Sequence, residues 1–432
     1  MRHGGLTAPL VDPQTFTARG EVASALVVGP AEVTVTADAL EMTTATGAAS
    51  WTYPEVLGMS MADYAVVVRT ASGEVVVSRL GYDTEPFYQH LLAAYNDRVR
   101  ESLFVTGAPV VRAHGGYAYD EAGQHVAGTA PIEVHDDALL VLPPGLGARR
   151  VPLCFVDSVE SFDYQLCVTL TTGERYTVSR LGYETEPVER AIAAGQARLH
   201  AQAVTNVREL DPSLAPDEAS AVARLLLAGL AAPVGALRAI APRFVAALEA
   251  QLATTRAAET YPVFRELCDP DEICVGFTKV DPRAAGDEPG SEADPAAEPG
   301  ADAAAADDDA TDEASDETPE VFRLWLIAPA RAGGTTAVEF AGRGHDAAAT
   351  FVYRHDGPGA GFATGLNRAL EAVGFAREPL RLDDAALAAP RYSKYRMAVQ
   401  RNPALQMVRQ CLVARVVHRG TWRQSIDTYL NA

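Results

Sequence analysis

The chain has 432 residues, 48% of them apolar, enough at roughly 150 residues per domain for about three folded units with their own cores. Its formal net charge of −21, from 36 Lys and Arg against 57 Asp and Glu, excludes a general nucleic-acid binder with a basic footprint. Five cysteines (Cys154, Cys167, Cys268, Cys274, Cys411) with no CxxC pair argue against a disulfide framework or structural zinc, and with no apolar secretion signal at the N-terminus the cytoplasm is the expected compartment.

Taken in chain order, the first strong feature is a repeat. Residues 61–86 (MADYAVVVRTASGEVVVSRLGYDTEP) return at 161–187 (SFDYQLCVTLTTGERYTVSRLGYETEP). Asp63-Tyr64 matches Asp163-Tyr164, and Gly73-Glu74 matches Gly173-Glu174, at an offset of 100. Ser78-Arg79-Leu80-Gly81-Tyr82 then matches Ser179-Arg180-Leu181-Gly182-Tyr183 at an offset of 101. One residue is therefore inserted after the turn, a change that a β-bulge absorbs. Upstream, Ala31 and Asp38-Ala39-Leu40 match Ala130 and Asp137-Ala138-Leu139.

Each copy reads as strands followed by a helix. Stretches 33–42 and 132–142 predict early strands. The alternation through Tyr64, Val66 and Val68, and through Val75 and Val77, predicts two more with Gly73 at the turn. Thr84 and Thr185 are expected N-caps, with Pro86 and Pro187 in the first helical turn. Phe87, Leu91, Tyr95 and Val99, joined by Leu92 and Leu103, form one apolar helix face, and the second copy keeps Val188, Ile192 and Leu199.

Antiparallel strands closed by one C-terminal helix, with the strand–Leu-Gly-Tyr–helix junction, resemble the pleckstrin-homology-like (PH-like) fold. The chain is similar over residues 15–205 to a bacterial family with tandem modules of this kind. The resemblance implies an α+β chain with two antiparallel β-sandwich or barrel modules, 15–106 and 108–205, each closed by its helix. The junction itself is expected to serve packing: Leu80 and Leu181 in the core, glycine at the turn, Tyr82 and Tyr183 capping the helix start, Arg79 and Arg180 outward. As a duplicated element it also supplies the candidate partner-binding residues Arg79, Tyr82, Arg180 and Tyr183.

The second half changes character. Residues 206–258 read as a helical connector opened by Asp217-Glu218 and divided by Pro233 and Pro242. The most apolar run, Leu225 to Leu237, is interrupted by Pro233, so a buried helix is expected there and not a membrane span. Strands are predicted at 272–278, at 321–328 as its continuation or hairpin partner, and at 337–341 and 349–354, with a helix over 362–373 placing Leu366 and Leu370 inward. Segment 281–320 carries fifteen acidic residues against Arg283 alone, net −14, and reads as an acidic disordered insert within a hairpin. The order again suggests a PH-like module, diverged, over 259–376. The tail, 377–432, is basic, net +7 over 391–432. Leu405, Val408, Leu412 and Val416 predict one helical stripe and Trp422, Ile426 and Leu430 another. These helices are expected on the third module, with arginines, among them Arg396, Arg409 and Arg415, on a wet face that could bind anions.

Catalytic signals are weak. His345-Asp346 and His355-Asp356 lack an accompanying nucleophile. His135-Asp136-Asp137 aligns with Thr36-Ala37-Asp38 and so reads as a turn and not a metal cluster. The glycine-rich run 357–365 lacks the lysine of a phosphate loop and reads as a strand-to-helix turn. Cys268 and Cys274 have no matching ligands. No cofactor or metal is expected. Phosphoinositide binding is opposed by the absence of Lys or Arg between Arg19 and Arg69 and between Arg112 and Arg149, where a headgroup would need cations. The leading expectation is a non-enzymatic interaction or scaffold protein that binds a protein partner through its modules, an open sheet edge being able to accept a partner's strand. The alternatives are an enzyme or small-ligand binder using His345, His355 and the tail arginines, and anion, membrane-surface or nucleic-acid binding through the tail. The acidic insert could mask that tail.

Overall fold

The computed structural model describes residues 15–105, 107–121, 123–280, 321–341 and 349–431. The expectations for 281–320 and for His345-Asp346 fall outside them. The chain is α+β, with three antiparallel sheets among the described residues. It divides into two compact units, Met1–Ala197 with Arg368–Gln406, and Arg198–Asn367 with Met407–Ala432.

The first unit holds both repeats. Repeat 1 comprises β1 (Phe16–Ala23), β2 (Val28–Val35), β3 (Ala39–Thr44), β4 (Ala48–Thr52), β5 (Val56–Ala62), β6 (Ala65–Thr70), β7 (Gly73–Ser78) and α1 (Thr84–Ser102). Its strand order is β4-β3-β2-β1-β7-β6-β5. Repeat 2 comprises β8 (Val111–Glu121), β9 (Gln124–Val134), β10 (Ala138–Val141), β11 (Arg149–Pro152), β12 (Val156–Phe162), β13 (Gln165–Leu170), β14 (Arg175–Ser179) and α2 (Thr185–Leu210). The same order recurs as β11-β10-β9-β8-β14-β13-β12. Register shifts fall at equivalent places, Val56/Gly58 and Val156/Ser158. Phe87, Leu91, Tyr95 and Val99 are fully buried on α1 against Val33, Leu40, Val66, Val68 and Val77 of the sheet.

Local details correct three expectations. Residues 33–42 and 132–142 are not single strands but hairpins turning at 36–38 and 135–137. The extra residue of repeat 2 lies in the turn and not in the strand after it: Thr70 pairs Gly73 across a two-residue turn, whereas Leu170 and Glu174 close a three-residue loop in which Gly173, at φ +87°, donates to the Leu170 carbonyl and forms a G1 bulge. Thr84 and Thr185 are not N-caps. A 3₁₀ turn (81–83, 182–184) runs straight into each helix, leaving no extended cap residue, and each hydroxyl donates backward to the Gly81 or Gly182 carbonyl, at 2.9 and 3.0 Å.

After α2 come α3 (Pro216–Leu225), β15 (Ala232–Pro233), α4 (Val234–Ile240), α5 (Pro242–Leu252), α6 (Ala257–Leu267), β16 (Cys274–Val280), β17 (Val321–Pro329), β18 (Thr335–Ala341), β19 (Ala349–Arg354) and α7 (Gly359–Glu371). Then follow α8 (Glu378–Arg381), α9 (Asp384–Leu387), α10 (Ser393–Arg401), α11 (Pro403–Cys411), β20 (Leu412–Val417) and α12 (Trp422–Leu430). The third sheet is a plain meander, β15-β16-β17-β18-β19-β20, and does not repeat the seven-strand order. The strands flanking 281–320 are antiparallel partners, with Val280 opposite Val321. Phe244, Phe264, Leu324, Leu326, Val352 and Ile426 are buried together in the core of this unit.

The Leu225–Leu237 run is broken between α3, β15 and α4, so it is not one helix. Among the described residues no helix is long and apolar enough to cross a membrane. The run 357–365 is mostly helix, since α7 starts at Gly359. The tail is not all helical. Leu405 and Val408 are buried on α11, but Leu412 and Val416 lie in β20, where the β-branched run LVARVV suits a strand paired to β19.

The repeats are joined. Ala138, Leu140, Leu142 and Ala148 of repeat 2 belong to the core of repeat 1. Gly145 bridges Gly58 of β5 at φ +136°, and a Cβ there would stand 2.8 Å from the Leu57 carbonyl oxygen. A second link between the repeats is Arg100 of α1, which donates to both carboxylate oxygens of Glu133, each at 2.9 Å, with His135 Nε2 3.2 Å from that carboxylate. The segment 368–406 packs on the same unit: Met397 enters the repeat 1 core, Arg401 donates to the Tyr95 hydroxyl at 2.6 Å, and Gln400 donates to the Pro54 carbonyl at 3.0 Å. Arg150 of β11 pairs with Asp137 at 2.8 Å and with Glu371, while Arg368 donates to Glu174 at 3.1 Å.

Burial pushes the Glu133 carboxyl up, but hydrogen bonds from His135 and Arg100 outweigh it and hold the group down at about 2. A carboxyl so depressed contributes stability that is complete above its ordinary value of 4.5 and is lost as pH falls toward 2. Unfolding free energy should therefore drop on the order of 3 kcal/mol across that window through this group. Denaturant titrations at stepped pH should find Glu133→Gln less stable at pH 7 and missing this share of the acid slope. Equal acid slopes in the two proteins would contradict it.

Candidate functional site

Both repeats build the same end from the same residues. Ala62 pairs Ala65 around the two-residue turn Asp63-Tyr64, with φ +50° and +59°. Phe162 pairs Gln165 around Asp163-Tyr164, with φ +49° and +58°. Two central residues at positive φ make type I′ turns, which match the twist of a hairpin and ordinarily take Asn or Asp followed by Gly. Aspartate tolerates the left-handed region; a tyrosine there is strained. The turn adjoins the end of the next strand, since Gln165 pairs Ser179.

Beyond that strand the chain bends through a second left-handed residue, Arg79 at φ +58° and Arg180 at φ +56°, followed by Gly81 and Gly182 at +62° and +61°. The bend turns Leu80 and Leu181 into the cores and leaves Tyr82 and Tyr183 fully exposed. The two tyrosines therefore do not cap the helix starts, which the 3₁₀ turns supply. Tyr64 and Tyr164 are 83% and 81% exposed, so Tyr64 is a turn residue and not the start of the strand expected there. Each repeat thus carries two solvent-facing tyrosines at one sheet end.

The two arginines are exposed, as the sequence implies, but their settings differ. Arg79 pairs with Glu21 at 2.8 Å. Ser179 faces Gly116 where Ser78 faces Glu21, and the Arg180 guanidinium lies over that glycine, 3.0–3.1 Å from where a Cβ would stand.

The tail cations are not gathered on one helix face. Arg396 is half-buried on α10 in the first unit, while Arg409 on α11 and Arg415 on β20 belong to the second. Arg401 is buried and committed to Tyr95 and to the Met397 carbonyl. His355 is buried, with Nε2 2.9 Å from Thr336 Oγ1 and its ring stacked 4.4 Å from Phe362. Burial lowers its pKa, so it is a neutral packing residue at pH 7.

Other polar clusters were not foreseen. Thr350 donates to Glu339 at 2.5 Å and accepts from Trp422 Nε1 at 2.8 Å, and His418 Nε2 lies 3.2 Å from the same carboxylate. One imidazole nitrogen faces both the carboxylate and the hydroxyl, so the histidine does not bridge acid to nucleophile as an acyl-transfer triad requires. Burial drives the Cys154 thiol well above its ordinary range, which disarms it as a nucleophile. In the second unit an open cleft of about 490 Å³ is lined by Arg238, Glu249, Arg265 and Asp271. There Arg238 is paired with Asp271, and Arg265 with Glu249 at 3.6 Å, so the charges cancel locally. Among the described residues no group of three or more His, Cys, Asp or Glu is placed to hold a metal ion, and all five cysteines are free thiols.

The chain matches no protein-family model, and no curated protein matches it.

The strain at the turns gives a direct test. Replacing Tyr64 or Tyr164 with glycine should hold or raise stability, by up to ~1 kcal/mol, while the β-branched Tyr64→Val should lower it by ~1–2 kcal/mol. Denaturant midpoints measure both. A glycine variant that loses stability as valine does would show that the tyrosine is there for packing.

Proposed function

We propose that the chain is a non-enzymatic interaction protein of the cytoplasm that binds a protein partner through two tandem PH-like modules. The PH-like reading is supported by the seven-strand order found twice and by a C-terminal helix whose apolar face plugs each sheet. It is confined to the two repeats, because the third sheet is a simple meander. The observation that carries the function is the pair of exposed tyrosines at one end of each repeat. A folded chain gains nothing by setting solvent-facing aromatic rings at equivalent positions twice, Tyr64 and Tyr164 on strained turns, and aromatic residues are enriched where surfaces meet partners.

The rival readings have less behind them. The only described histidine of the catalytic reading, His355, is committed to packing, and the cleft on α4–α6 is charge-balanced. An anion surface on the tail loses Arg401 to the interior. Strand addition at a sheet edge is a route open to repeat 2 at β12, whereas β5 of repeat 1 is bridged by Gly145.

The test is site-specific photo-crosslinking in the native host. A photoreactive residue at position 82 or 183 should crosslink one and the same partner. Probes at 238 and 265 in the cleft should capture nothing specific. The reverse pattern would overturn the proposal.

A further inference from the structure

Resting on that reading, we infer that the segment bound by the repeat ends is a cationic, arginine-rich stretch of polypeptide, its guanidinium groups laid on the exposed tyrosine rings. The first ground is the rings themselves. Tyr64 and Tyr82 in repeat 1, and Tyr164 and Tyr183 in repeat 2, leave their π-faces open to solvent, and a cation over such a face is attracted by the ring quadrupole.

The second ground is the charge around them. In repeat 1 the rings are flanked by Asp63, Asp83 and Glu85, while the nearby Arg79 is neutralised by Glu21. In repeat 2 they are flanked by Asp163 and Glu184, and Arg180 is drawn back over the β8 backbone at Gly116. Among the described residues Asp63, Asp83, Asp163 and Glu184 form no ion pair. An acidic or phosphorylated segment would meet these carboxylates head-on; a basic one meets complementary charge and aromatic faces together. Arginine suits the rings better than lysine, because its planar, weakly hydrated guanidinium stacks where a hydrated ammonium does not. Two like ends on one chain would hold a partner with two basic stretches more tightly than either end alone.

The experiment is calorimetric titration of the full chain with an octa-arginine peptide at physiological salt, where diffuse attraction to the −21 chain is screened. Two peptides should bind per chain, several-fold more tightly than octa-lysine, and octa-glutamate should not bind. Tyr64→Ala with Tyr82→Ala should leave one site. The quadruple variant, adding Tyr164→Ala and Tyr183→Ala, should bind at least tenfold more weakly at unchanged net charge. Equal affinity for octa-arginine and octa-lysine, or unchanged binding by the quadruple variant, would overturn the inference by assigning the binding to charge elsewhere in the chain. If octa-arginine fails while positions 82 and 183 still crosslink a partner, the cationic assignment falls and the interaction reading stands.

Discussion

Leu140, Leu142 and Ala148 are packed in the core of a repeat other than their own. That displacement governs the first unit. It requires the β10–β11 loop to lie against β5, which in turn requires Gly145 to approach the Leu57 carbonyl more closely than a side chain permits. It also carries Glu133 out of water next to Arg100, where a buried carboxylate is tolerable only because it is paired and hydrogen-bonded. The repeats share one packed interior, although each has a complete set of seven strands. The later segment, 368–406, adds a buried pair, Arg150 with Glu371, and a half-buried one, Arg368 with Glu174, to the same unit.

Against this shared interior, the residues common to both repeats sort by direction. The left-handed bend at Arg79 and Arg180 reverses the chain so that the next residue is buried and the one after glycine is presented. Packing explains Leu80 and Leu181, and the turn explains Gly81 and Gly182. Neither explains four tyrosines held in water. The strain at Tyr64 and Tyr164 is offset by the packed cores behind the turns.

Much of this was legible in the sequence. The repeat offset locates both sheets, the i, i+4 face of α1 is legible residue by residue, and so are the strands flanking 281–320, whose antiparallel pairing the register shows. What escaped has physical causes. The alternation Tyr64, Val66, Val68 predicts a strand from Tyr64 because tyrosine favours strands, and only the register shows that residue forced into a turn. Leu412 and Val416 fit a helical period and a strand period alike, and the β-branched neighbours decided for the strand. Buried ion pairs such as Arg150–Glu371 join residues more than two hundred positions apart, a distance at which no local pattern carries information. Arg401 counts in sequence only as one of the tail's positive charges, since nothing in its own helix announces Tyr95. For the candidate site, duplication marks Arg79, Tyr82, Arg180 and Tyr183 and also Tyr64 and Tyr164, but the exposure of the last two follows only from the turn geometry.

The central claim is that the two repeats share one interior and unfold as one. Native-state hydrogen exchange on the full chain tests it most directly, by comparing amides of β2 and β3 with those of β9 and β10 in the natural protein and in Gly145→Val. A common opening free energy for all four strands, lowered together by the substitution, is the result the account requires. Two distinct opening energies, with only one repeat responding at position 145, would contradict it.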